Sequence, residues 1–239
     1  MRPRDEVVEL RNYLMHPRQR DALIDIFERH FIEPQEALGA NVLGSFRNLD
    51  DPDRFVWLRG FADLDARFGA LDGFYTSDVW KTHRESANAT MITSSDVLLL
   101  RPITGDLTRD PTTRAPMGAP APASLIVVTT YFLAPYEDEA FGALFAHQAA
   151  PVLEETGAAV WATLASEHSA NTYPRLPVRE NDTVFVSVAR FPSVAAFDAH
   201  SAALDASSAW RTLKPLLDRA LVAPTLTLRL QPTARSLLH

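Results

Sequence analysis

Apolar and polar residues alternate along 7–13, with Val8, Leu10 and Asn12 on one side and Val7, Glu9, Arg11 and Tyr13 on the other, the two-residue period of a strand. From 18 to 37 the period lengthens. Leu23, Ile26/Phe27 and His30/Phe31 recur at helical spacing, while Arg20, Asp21, Asp25 and Glu28 make a charged outer face. Pro34 falls inside this segment and predicts a kink or a broken last turn, and Gly39 is a stop signal. A second strand runs over 41–47. The turn 48–53, rich in Asn, Asp and Pro, leads into a third strand over 54–61. Trp57 and Arg59 stand two apart in it, so they leave one face together with Phe55 and Phe61. Asp63 caps a helix to about residue 71, the Ser77-Asp78 pair caps another to 89, and the apolar run 97–101 is a strand stopped by Pro102.

Strand, helix, strand, strand, helix, strand is the order of a ferredoxin-like unit, a four-stranded antiparallel sheet with helices on one face and the other face bare. Residues 104–123 then lose all periodicity in favour of Pro, Thr and Ala and read as a linker or exposed loop. Beyond them the order starts again, with a strand over 125–132, a helix over 141–155 and a strand over 158–165. His30/His147 and Pro34/Pro151 lie 117 apart; after a longer turn over 166–182, Phe61/Phe191, Trp80/Trp210 and Pro102/Pro232 lie 130 apart. One offset on each side of one insertion is the mark of an internal repeat. The predicted class is α+β, with two tandem ferredoxin-like βαββαβ units over 1–103 and 124–239 whose bare faces meet in one intramolecular barrel with the helices outside.

With 46% hydrophobic residues in 239, the chain has material for real cores. A net charge of -7 argues against a nucleic-acid surface, because phosphate binding needs a basic face. The absence of cysteine removes disulfides, thiolate catalysis and cysteine-based zinc sites. No stretch has signal-peptide or membrane-spanning character, so a cytoplasmic protein with no membrane partner is expected.

Comparing the halves singles out candidate chemistry. Core positions persist, as in Phe55/Phe185 and Leu100/Leu230. At the same offset Trp57 becomes Ser187, Arg59 Ala189, Tyr75 Asp205, His83 Leu213 and Asn88 Asp218, so the first half holds the richer set of groups. Trp57 and Arg59 can line a pocket as an apolar wall and a fixed cation, or Arg59 can simply pair with an acidic neighbour. Trp80, His83 and Ala87 share a helix face, and His83 titrates in the range of a general base; a core tryptophan beside a structural histidine fits the same spacing. His30 and His147 recur and read as structural. No His-x-x-x-His or His-x-Glu spacing, Gly-rich phosphate loop or Gly-x-Ser-x-Gly elbow occurs, so neither a metal nor a cofactor is indicated.

Several runs carry a family resemblance: Val8-Glu9-Leu10-Arg11-Asn12-Tyr13, Phe31-Ile32-Glu33-Pro34, Leu43-Gly44-Ser45-Phe46, residues 50–61 in full, Phe74-Tyr75, Val79-Trp80, Ala87-Asn88-Ala89-Thr90-Met91 and Leu98-Leu99-Leu100-Arg101-Pro102. Together they resemble the NIPSNAP domain over most of 5–103, while the second half has lost most of the motif. The resemblance implies a dimeric α/β-barrel fold, shared with cofactor-free quinol monooxygenases, heme-degrading enzymes and stress-responsive barrel proteins. The functional expectation is a small-molecule-binding protein, in one version a cofactor-independent oxygenase acting on a small aromatic or enolisable substrate. In that version His83 is the base, Arg59 and Asn88 hold the anion, and Trp57, Tyr75, Trp80 and Tyr13 form the walls. The alternative is a non-catalytic metabolite-binding or interaction scaffold, with heme binding through His30, His83 or His147 as a third, weaker reading. A homodimer of the two-repeat chain is compatible with all three.

Overall fold

A computed structural model describes residues 4–239. The first half runs β1 (Val7–Met15), helix α1 (20–37), β2 (Asn41–Asn48), β3 (Arg54–Phe61), α2 (Leu64–Thr76), α3 (Asp78–Asn88), the short β4 (Met91–Thr93) and β5 (Val97–Gly105). The second repeats the order with β6 (Leu125–Leu133), α4 (138–155), β7 (Ala159–Ser166), β8 (Thr183–Phe191), α5 (Val194–Ala206), α6 (Ser208–Arg219) and β9 (Leu221–Pro232). Every pairing is antiparallel, and eight strands close on themselves in the order β1-β3-β2-β9-β6-β8-β7-β5, with β4 added at the end of β1. The halves meet at two seams, β2 with β9 and β5 with β7. The intramolecular α/β barrel expected from the bare sheet faces is therefore what the chain forms.

Alternation along each strand explains the layers. Val8, Leu10, Leu58, Leu100, Val186 and Leu230 point inward and fill the barrel with aliphatic side chains. The opposite face of β1 and β3 carries Tyr13, Phe55 and Trp57 against α1, α2 and α3. The second half repeats this with Tyr131 and Phe185 on the sheet, packed against Phe141 and Phe145 of α4 and Leu213 and Leu217 of α6. The barrel interior is packed with the aliphatic side chains, and two cavities lie between the sheets and their helices.

Some boundaries differ from the sequence expectation. Helix α2 runs on to Thr76 rather than 71, and β5 continues past Pro102 to Gly105, because the seam with β7 supplies pairing that the isolated pattern does not show. The distortion expected at Pro34 takes the form of a π-turn over Phe27–Phe31, and α4 has its own over Phe145–Ala149. Pro34 and Pro151 each stand four residues after a residue of that wide turn, His30 and His147, whose carbonyl a proline ring strikes in a regular helix. The stretch after β5 is tied down: Leu107 joins the barrel core, and Arg114 donates to Glu36 at 2.5 Å and to the Val42 carbonyl at 2.8 Å.

Candidate functional site

The register of β1 against β3 sets Glu9 opposite Arg59 and Arg11 opposite Trp57, all on the face turned toward the helices. Asp63 caps α2 by accepting from the Ala66 N–H, and the helix so anchored brings Arg67 to the same point. Glu9 then accepts from three guanidiniums: Arg11 Nη1 at 2.5 Å, Arg59 Nε at 2.8 Å and Arg67 Nε at 2.7 Å. None of the four residues is more than 1% exposed. Burial alone would push the Glu9 carboxyl up, but Arg59, Arg11 and Arg67 together outweigh it and hold the group well below the usual carboxylate range. One carboxylate faces three guanidiniums, so the cluster has a surplus of two positive charges. Charge buried without a countercharge is costly, and hydrogen-bond capacity is left over as well. The Nη2 of Arg67 and Nε1 of Trp57 are buried without a hydrogen-bond partner, and Arg59 Nη2 lies 2.8 Å from Glu9 Oε2 but off the hydrogen-bond axis.

Above this cluster opens a cavity of about 120 Å³. Tyr13, Trp57, Tyr75 and Trp80 wall it, Arg11 and Gln35 reach it from below, and the exposed Asn88 stands at its mouth. The rings meet edge to face, Tyr13 on Trp57 at 6.0 Å and Tyr75 on Trp80 at 4.8 Å, which fixes the walls without filling the space between them. Arg11 lies under the Trp57 ring at 5.5 Å and donates from Nε to the Tyr13 hydroxyl at 2.7 Å. Its Nη2 has no hydrogen-bond partner among the described residues. Burial pushes the Tyr13 phenol up even with Arg11 pulling it down, so Tyr13 stays a neutral hydroxyl near neutral pH.

The cover comes from the other half of the chain. The turn between β7 and β8, residues 167–182, reaches across to α2. Asn171 and Thr172 accept from Arg67 Nη1 at 3.0 and 3.2 Å, Tyr173 stacks near Tyr75 at 6.2 Å, and Leu176 lines the cavity. The cavity thus has a buried cationic floor, aromatic walls and an apolar cover.

The NIPSNAP family model matches residues 8–104, the segment that builds the floor and walls. That segment is a NIPSNAP domain. The whole chain is similar in fold to a candidate monooxygenase from Lactobacillus acidophilus NCFM, with 11% identity, 98% of this chain and 97% of that one covered, and a TM-score of 0.59. It is also similar to an anthrone oxidase-like protein, with 14% identity, 98% and 94% covered, and a TM-score of 0.62. No curated protein matches the sequence. At these identities the likeness is one of architecture.

Of the seven residues expected at a site, Tyr13, Trp57, Tyr75, Trp80 and Asn88 converge on the cavity of the NIPSNAP domain. Arg59 lies one layer below. Its guanidinium sits 5.0 Å from the Trp57 ring and donates to Gln35 at 2.8 Å, so it reaches the cavity through other side chains. His83 does not line the cavity. Three residues on from Trp80 it is turned about 60° round the helix, and its ring stacks on His30 at 3.8 Å. His30 is held below its ordinary value by burial first and then by His83, while His147 is exposed. Among the described residues no group of three metal-ligating side chains forms, and no helix is long and apolar enough to cross a membrane.

Sequence reasoning missed Arg11, Glu9, Arg67 and Leu176. The first two were within reach of the half-to-half comparison, because β1 and β6 align Glu9 with Val127 and Arg11 with Thr129, the same kind of loss that singled out Trp57 and Arg59.

Proposed function

We propose that the NIPSNAP-domain cavity binds a small organic anion, or an enolisable or phenolic molecule that becomes one there, and that the bound anion reacts with dioxygen without a cofactor. The observation that carries this reading is the surplus of buried positive charge directly beneath an aromatic-walled cavity. A bound anion offsets part of that surplus and accepts from the free N–H groups, so binding selects the ionised form and lowers the pKa of an acidic ligand. The lining contains no carboxylate, histidine or lysine, which restricts the class to molecules acidic enough to ionise in the guanidinium field. The volume restricts it further, to a single ring or smaller; a three-ring anthrone exceeds it while the turn 167–182 is in place.

For a hydroquinone the steps balance as follows. The anion gives an electron to O2, the radical pair closes a carbon–oxygen bond as a hydroperoxide, and loss of water leaves a carbonyl. One oxygen atom enters the hydroxyquinone product and the other leaves as water. Tight walls favour this outcome by excluding bulk water from the reactive anion.

The second reading is a binder without turnover, and the lack of an ordinary general base in the lining favours it. Oxygen consumption with hydroquinone separates the two. The oxygenase reading expects uptake well above the protein-free rate, lowered at least about tenfold in Arg11→Met. Uptake equal to the protein-free rate, with binding retained, leaves the binding reading and removes the reaction.

A further inference from the structure

The second half has its own cavity in the corresponding place, and its chemistry is different. It measures about 240 Å³, against about 120 Å³ in the NIPSNAP domain. Strand register makes the comparison residue by residue. Val127 faces Ala189 and Thr129 faces Ser187 on β6 and β8, where the first half sets Glu9 against Arg59 and Arg11 against Trp57. On the following helices the caps Asp63 and Ser193 correspond, which puts Phe197 in the place of Arg67. All three guanidiniums, the carboxylate and the indole of the first site are thus replaced by uncharged and mostly smaller groups. The helices have not closed onto the vacated space.

What remains in the second cavity is neutral and mixed. Trp210 and Phe191 supply apolar walls; Thr129 and Thr227 bring hydroxyls 3.4 Å apart along one side. His200 shares a hydrogen bond with Thr156 at 3.0 Å, and burial holds it below its ordinary value, so it is uncharged near neutral pH. Burial pushes the Tyr131 phenol up to about 12, which keeps it a neutral hydroxyl. The one cation in the lining, Lys214, is bound to Asp218 at 2.6 Å and sits half-exposed. An anion finds no free positive charge here. A dry aliphatic cavity of about 150 Å³ accepts benzene, so this one has room for about two fused rings.

We infer that the cavity between β6, β8, α5 and α6 is a second binding site, for an uncharged planar molecule of about two rings that carries a hydroxyl or carbonyl. The flat part lies against Trp210 and Phe191, and the polar group meets the threonine hydroxyls and Ser187. It is independent of the anion site, since it uses none of the same side chains.

The test uses 2-naphthol, neutral at pH 7, with 2-naphthoate as its charged counterpart, in calorimetric titrations of the full chain. Ser187→Trp restores the ring that fills this position in the first half, and Ala189→Met is a milder filling. The inference expects one 2-naphthol site that excludes 2-naphthoate, weakened at least about tenfold by each filling variant that unfolds cooperatively. It also expects 2-naphthol density between Ser187 and Trp210 in a soaked crystal of the unmodified protein, a result that does not depend on either variant folding. Unchanged affinity in a folded filling variant, equal binding of 2-naphthoate at this cavity, or density elsewhere or nowhere overturns it.

Discussion

Glu9 holds three guanidiniums on two oxygens in a fully buried position, and that arrangement decides how its replacement behaves. Glu9→Gln removes the only carboxylate of the cluster and leaves Arg11, Arg59 and Arg67 to repel one another in a buried space. Removing one partner of a buried charge set costs about 3–5 kcal/mol, and urea unfolding at pH 7 should read a loss of that order. The effect depends on pH with a definite sign. The folded-state pKa of Glu9 is depressed below its ordinary 4.5, so its contribution is complete above about 4.5 and is lost as pH falls toward the folded value. The gap between the unmodified protein and Glu9→Gln should therefore narrow in acid below that point. A gap that stays constant down to pH 3 would show that Glu9 is not held ionised by its neighbours. At this scale the sequence was half legible. Two-residue spacing places Trp57 and Arg59 on one face, which is buried, whereas which acidic group meets Arg59 depends on strand register, and the helix face shared by Trp80 and His83 is too coarse to show that the His83 ring turns to His30.

Helix α1 and the turn 167–182 show what pattern reading catches in an element and what it does not. The spacing located α1 and its proline; the π-turn that brings Phe27 and Phe31 both inward follows from the proline's clash with the carbonyl four residues back, a local effect that a period count passes over. The caps were more direct: Asp63 accepts from the Ala66 N–H at 2.7 Å and Ser77 from the Trp80 N–H at 3.2 Å. The turn 167–182 was visible only as an insertion that shifts the repeat offset. Its contact with Arg67 spans more than a hundred residues of chain, and nothing local signals such a contact. If this turn covers the anion site, Leu176→Ala loosens the cover while leaving the floor intact. Stopped-flow displacement of a bound anion should then show dissociation about tenfold faster or more, with association nearly unchanged, the usual division for a contact that holds a formed complex. A slower dissociation, or no change, would mean that the turn plays no part in closing the cavity.

The whole molecule carries two cavities of different chemistry on one architecture. Each sheet buries its aliphatic face in the common barrel, so the structural task is shared and the helix-facing surfaces are free to differ. In the NIPSNAP domain that surface carries a buried cationic cluster under a small cavity; in the second half it carries a larger neutral one. Conserved barrel positions such as Leu100/Leu230 made the shared fold legible from the chain alone. The division of chemistry was legible only in outline, through the residues the second half had lost. Calorimetric titration with benzoate, a single-ring carboxylate, tests this division most directly. One benzoate site per chain is expected, with affinity reduced at least about tenfold in Arg11→Met, whose Glu9 still has two guanidinium partners and whose fold should persist. Two equivalent sites per chain, or an affinity unchanged by Arg11→Met, would contradict that division.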